Sequence, residues 1–146
     1  MSYANIIGRN KEINILDRIY KSKKSELVAI YGRRRVGKSY LVSECFGKKI
    51  LFKAVGTYIK DGDKDYESYR QLQLAHFYDS LVIAGLSTKE SKPTCWREAF
   101  LLLRKVLEGK RNRRKIIFID ELPWLAGPQS SEMIPELGYF WNSWAD

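Results

Sequence analysis

The segment Gly32-Arg33-Arg34-Arg35-Val36-Gly37-Lys38-Ser39 constrains this chain more than any other stretch of it. An apolar run, Leu27 to Tyr31, leads into it, and residues with helical spacing follow. Glycine, four spacers, then Gly-Lys-Ser between a strand and a helix is the pattern of a phosphate-binding loop. Glycines admit positive φ, so consecutive backbone N–H groups can curl around a phosphate at a helix N-terminus. The phosphate-side set is therefore Gly32, Arg33, Arg34, Arg35, Val36, Gly37, Lys38, Ser39 and Tyr40. Lys38 is expected to reach the β- and γ-phosphates as a mobile point charge, and the Ser39 hydroxyl to ligate Mg²⁺.

A second feature complements the loop. Ile116-Ile117-Phe118-Ile119-Asp120-Glu121 reads as a buried apolar strand that ends in two carboxylates. Ligands of parallel sheets bind beyond the carboxyl ends of the strands. Asp120 is expected to hold Mg²⁺ opposite Ser39. Glu121, one residue farther on, is expected to polarise the water that attacks the γ-phosphate. The catalytic pair is thus Lys38 and Glu121, and the metal-side pair is Ser39 and Asp120.

Apolar spacing orders the remaining chain. Ile13, Leu16, Ile19 and Tyr20 predict a helix over Lys11 to Tyr20. The first strand covers Leu27 to Tyr31, apolar on both faces as a central parallel strand is. A helix follows over Lys38 to Cys45, with Leu41, Val42 and Cys45 inward and Gly47 as its stop. Ile50 to Val55 is the second strand, Gly56 to Asp65 a loop, and Tyr66 to Ile83 a long helix. Thr94 is placed to cap a helix over Cys95 to Gly109, striped by Trp96, Phe100, Leu103 and Leu107. Lys115 to Ile119 is the third strand, Leu122 to Ser131 a loop, and Glu132 to Ala145 helical. Strands alternating with helices give an α/β layered fold with a parallel sheet. His76, the single histidine, reads as a surface or packing residue within the long helix.

Composition narrows the class. With 146 residues, 45% hydrophobic and 29% charged, the chain suits one soluble domain, and no apolar run approaches a membrane span. The N-terminus lacks a signal peptide's pattern, so cytoplasm is the expected compartment. Cys45 and Cys95 read as buried thiols. The formal charge of +9 gathers at Lys21-Ser22-Lys23-Lys24, Arg33-Arg34-Arg35 and Lys110-Arg111-Asn112-Arg113-Arg114-Lys115. Two readings of those clusters stay open: contact with DNA, or solvated turns flanking a phosphate-facing loop.

The triple-arginine loop resembles that of archaeal and bacterial AAA+-type ATPases, within the signal-transducing P-loop ATPases. Ile7-Gly8-Arg9 followed by Glu12, the run Phe118 to Leu125, and Tyr139-Phe140-Trp141-Asn142-Ser143-Trp144 carry the same resemblance. It implies a three-layer α/β/α P-loop fold, with ATP rather than GTP as ligand, and places Ile7, Gly8 and Arg9 near the adenine. Residues 1–25 would form a helical adenine-side segment and 26–146 the nucleotide-binding core of one domain. In that family a fourth strand, sensing the γ-phosphate, comes next. It lies between the phosphate-loop strand and the Asp120-Glu121 strand. A fifth strand, a helical lid and an effector domain then follow. On this comparison the sequence is truncated before the fourth strand, and weak ATP hydrolysis is expected of it alone. Oligomerisation stays open on the sequence.

Overall fold

The computed structural model describes residues 9–30, 37–60, 62 and 64–145. The chain divides into two compact units, Met1–Ile50 with Asp146, and Leu51–Ala145.

In the first unit, α1 (Asn10–Lys21) and α2 (Lys38–Phe46) pack on each other. Ile13 and Leu16, three apart on one face of α1, meet Leu41 and Cys45 of α2, with Phe46 alongside. This is the helical periodicity expected of the sequence, and α1 extends the anticipated helix by one residue at each end. An Asp17–Lys21 ion pair of 2.8 Å bridges one turn on the exposed side. Gly47 takes φ 49°, a left-handed value that ends α2 at the expected place.

The strand expected over Leu27 to Tyr31 is corrected for its described part. Residues 27–30 form no strand, and Leu27 is 68% exposed. An apolar, β-branched run becomes a strand only by donating and accepting across a ladder, and no described residue pairs with this one. Tyr31 lies outside the described residues.

The second unit holds the sheet. β1 (Ile50–Val55, whose first residue falls in the first unit) pairs in parallel with β2 (Ile116–Asp120). Along β1, Phe52 and Ala54 turn inward while Lys53 and Val55 stay exposed, the period of two that a strand imposes. β2 is half-buried throughout rather than buried as its sequence suggests, because its described ladder runs along one edge alone. Between the strands run α3 (Tyr66–Ile83) and α4 (Trp96–Glu108), which pack together. Phe77 of α3 is the hub of the core. Its ring lies 5.0 Å from Phe52, 5.2 Å from Trp96 and 5.7 Å from Phe100, in the tilted and edge-on arrangements aromatic quadrupoles favour. α6 (Met133–Phe140) adds Met133 and Phe140 to this cluster and runs on as a single π turn, Trp141–Ala145. Arg70 of α3 ties down the entry to α6 through a 2.6 Å bond to Glu132.

Two local expectations shift. Cys95, not Thr94, is the N-cap of α4. Thr94 stands one residue earlier, and its hydroxyl donates to Glu98 at 2.7 Å. The segment after β2, expected to be a loop, contains the short helix α5 (Leu122–Leu125) and a 3₁₀ turn at Pro128–Ser130. Pro123 in the first turn supplies a helical φ without losing a ladder bond, a signal too short to register as periodicity. Both cysteines are free thiols. Cys45 is buried, and Cys95 is half-buried rather than buried as expected.

Candidate functional site

Gly37 caps α2 with φ 84° and ψ 19°, a left-handed conformation that glycine takes at no steric cost. Leu41 N–H donates to the Gly37 carbonyl at 2.9 Å, the first bond of the helical ladder. The amides of Lys38, Ser39 and Tyr40 therefore stand ahead of that ladder, at the positive end of the helix. No acidic residue occupies the first turn of α2 to compensate this charge from within. Lys38 and Ser39 are half-buried and Tyr40 is exposed. The first unit thus brings together positive charge, amide donors and a hydroxyl at one helix terminus, the chemistry suited to an anion.

Arg9 joins them. It caps α1, accepting from Ile13 N–H at 2.9 Å, and its guanidinium approaches to 3.7 Å of the point where a Cβ on Gly37 would sit. The resemblance places Arg9 on the adenine side; in the structure its head lies against the last glycine of the loop motif. Ile7, Gly8, Gly32, Arg33, Arg34, Arg35 and Val36 lie outside the described residues.

The second unit holds Asp120 and Glu121 at the carboxyl end of β2. Asp120 folds one carboxylate oxygen back to accept the Glu121 amide at 3.0 Å. Glu121 then adopts φ 55° and ψ 43°, the single positive φ outside glycine among the described residues. That conformation costs an ordinary side chain about 1 kcal/mol, so its surroundings must impose it. They do so from several directions. The Glu121 carbonyl accepts Trp124 N–H at 3.0 Å, and Gly56 N–H donates to the Asp120 carbonyl at 2.9 Å. Gly56 packs so tightly that a Cβ there would overlap the Glu121 carbonyl oxygen.

Behind this turn stands a side chain that sequence reasoning missed. Gln73 of α3 is buried, accepts Thr57 N–H at 3.0 Å and donates to the Trp124 carbonyl at 2.6 Å. Gln129 donates to the same carbonyl at 2.5 Å. The buried stripe of α3 is Gln73, Leu74, Phe77, Tyr78 and Leu81, so a glutamine fills a core position of an otherwise apolar face. A polar residue in phase with an apolar stripe was the available signal. His76, one turn farther on the exposed side, shares a 2.9 Å hydrogen bond with the Thr57 hydroxyl.

Lys38 and Ser39 belong to the first unit, Asp120 and Glu121 to the second. A hydroxyl and a carboxylate are hard oxygen donors, which suits Mg²⁺ in preference to a softer metal. Among the described residues no trio of His, Cys, Asp or Glu gathers as a metal cage, and no helix is long and apolar enough to cross a membrane.

Comparison with known proteins adds two findings. Residues 6–144 match the model of a family described as an ATPase domain predominantly from Archaea. Over 48 residues, 33% of this chain and 81% of the relative, the sequence is 35% identical to a Methanocaldococcus jannaschii protein named as an uncharacterized ATP-binding protein. No solved structure matches the chain.

Proposed function

This chain belongs to the family of ATPase domains found predominantly in Archaea, and we propose that it binds ATP together with Mg²⁺ and hydrolyses it. The observation that carries this reading is the α2 terminus, where left-handed Gly37 delivers Lys38 and Ser39 to a positive helix end beside the Arg9 guanidinium. The fold in this reading is the three-layer P-loop arrangement. Residues Gly32 to Tyr40 wrap the phosphates, with Ile7, Gly8 and Arg9 completing the nucleotide site. Lys38 bonds the β- and γ-phosphate oxygens and draws off the charge that builds on them during transfer. Ser39 and Asp120 hold Mg²⁺, which when bound neutralises charge on the phosphate oxygens. Glu121 accepts a hydrogen bond from the attacking water and orients it.

The reading extends to a AAA+-type nucleotide switch in the cytoplasm, acting on an attached effector domain. That extension rests on the resemblance carried by the triple-arginine loop and the run Phe118 to Leu125. DNA contact through the basic clusters is the alternative, and a steep salt dependence of DNA affinity would favour it; self-association would appear as a concentration-dependent mass.

Two variants test the proposal. Lys38→Ala should weaken ATP binding by about tenfold or more, since a charge-assisted contact is lost. Glu121→Gln should bind ATP as the wild type does and lose hydrolysis by about 100-fold. Undiminished turnover in Glu121→Gln would overturn the assignment of the water-polarising residue, and undiminished binding in Lys38→Ala would overturn the site.

A further inference from the structure

We infer that Gln73 is a positioning residue for Glu121, holding the strained turn on which that carboxylate is carried; the inference rests on the hydrolytic reading above. Thr57 offers an N–H and Trp124 a carbonyl, so only one orientation of the Gln73 amide satisfies both. Each bond fixes one flank of Glu121. Trp124 is the third residue of α5, and its N–H closes the turn on the Glu121 carbonyl, so anchoring the Trp124 carbonyl anchors that turn. Thr57 follows Gly56, whose backbone abuts the same Glu121 carbonyl, so anchoring the Thr57 amide keeps that wall in place.

Strain supplies the second reason. A glutamate held at φ 55° relaxes toward ordinary backbone regions when its supports loosen, and relaxation swings the carboxylate away. Gln73 is 1% exposed, so water does not replace its bonds, and α3 is anchored by Phe77 one turn along. A rigid helix therefore presents a donor and an acceptor to the two loops at the carboxyl end of the sheet. The buried side chain bonds two backbone groups and acts through them.

The test uses the full chain with Gln73→Met, which keeps the length and loses both bonds, beside Val106→Ala as a control for general loss of stability. Val106 is buried in α4, apart from the residues assigned to chemistry. Amide hydrogen exchange at Thr57 and Trp124 should accelerate about tenfold more in Gln73→Met than in the control. Turnover should fall at least about tenfold, with KM for ATP and directly measured ATP affinity within about twofold of wild type. Gln73→Leu, also uncharged and without either bond, should give the same split if Gln73→Met does not fold. Exchange and turnover that merely follow Val106→Ala would overturn the inference while leaving the hydrolytic reading intact. A wild-type chain without turnover would overturn that reading and Gln73's part in catalysis with it. The exchange data would then still decide whether the amide holds the turn.

Discussion

The two units differ in what their helices rest on: among the described residues the first packs helix on helix, and the second packs helices around a sheet. In the first, Ile13, Leu16, Leu41 and Cys45 form a small buried cluster between two helices. In the second, a contiguous core runs from Phe52 and Ala54 through the Phe77, Trp96 and Phe100 rings to Met133 and Phe140. Hydrophobic stabilisation scales with the apolar area removed from water, so the second unit should resist opening far longer. The residues proposed for the phosphates thus stand on the thinner support, and those proposed for the attacking water on the thicker one. A loop that must admit and release a nucleotide benefits from low local stability, whereas a water-orienting carboxylate needs a fixed direction.

The strongest challenge to this contrast is Phe77→Ala. Removing the ring at the centre of the aromatic cluster should cost about 3–5 kcal/mol, read as a large fall in the melting temperature of the second unit. A loss under about 1 kcal/mol would mean that the cluster is loosely packed and the contrast overstated. Leu41→Ala should cost about 2–3 kcal/mol and appear first as faster amide exchange in α1 and α2, with the α4 amides remaining the slowest in the chain. Slower exchange in α2 than in α4 in the unaltered protein would reverse the comparison.

Smaller effects sharpen it. Glu121→Asn places a residue tolerant of left-handed backbone where glutamate is strained. Stability should rise by about 0.5 kcal/mol while ATP turnover falls, a trade expected where strain serves function. An unchanged or lower melting temperature would argue that the turn is not strained. The smallest effect concerns the entry to α4. The hydroxyl of Thr94, and then its amide, hold the Glu98 carboxylate below its ordinary range. A depressed folded value means that the contribution is complete above the unfolded glutamate range and disappears as pH falls through the folded one. Thr94→Val should therefore lower the melting temperature near neutral pH and match the wild type in acid. A gap that persists in acid would assign the effect to packing.

Where the sequence could be read, local chemistry was sufficient. The bounds of α3 and β1, the inward residues of α2 and the stop at Gly47 all follow from periodicity and glycine's conformational range. So does the positive helix end at Gly37-Lys38-Ser39, since the motif occupies consecutive positions. What escaped depends on partners distant in the chain. Leu27 to Ile30 have every local property of a strand but no described ladder to join. Arg9 meets Gly37 across 28 positions, and Gln73 meets Trp124 across 51. Glu121 gives no warning of its left-handed backbone, because nothing in a glutamate's chemistry asks for one. It is imposed by the turn around it.

Gly56 has a consequence for reading relatives of this chain. Hydrogen is the largest substituent its α-carbon can carry while the Glu121 carbonyl stays where it is. A homologue with alanine at this position must route its polypeptide differently after the second acid, and the role proposed for Glu121 does not carry over to its counterpart there. One unadorned position thus serves as a marker of whether the neighbouring carboxylate can be equated between two members of the family.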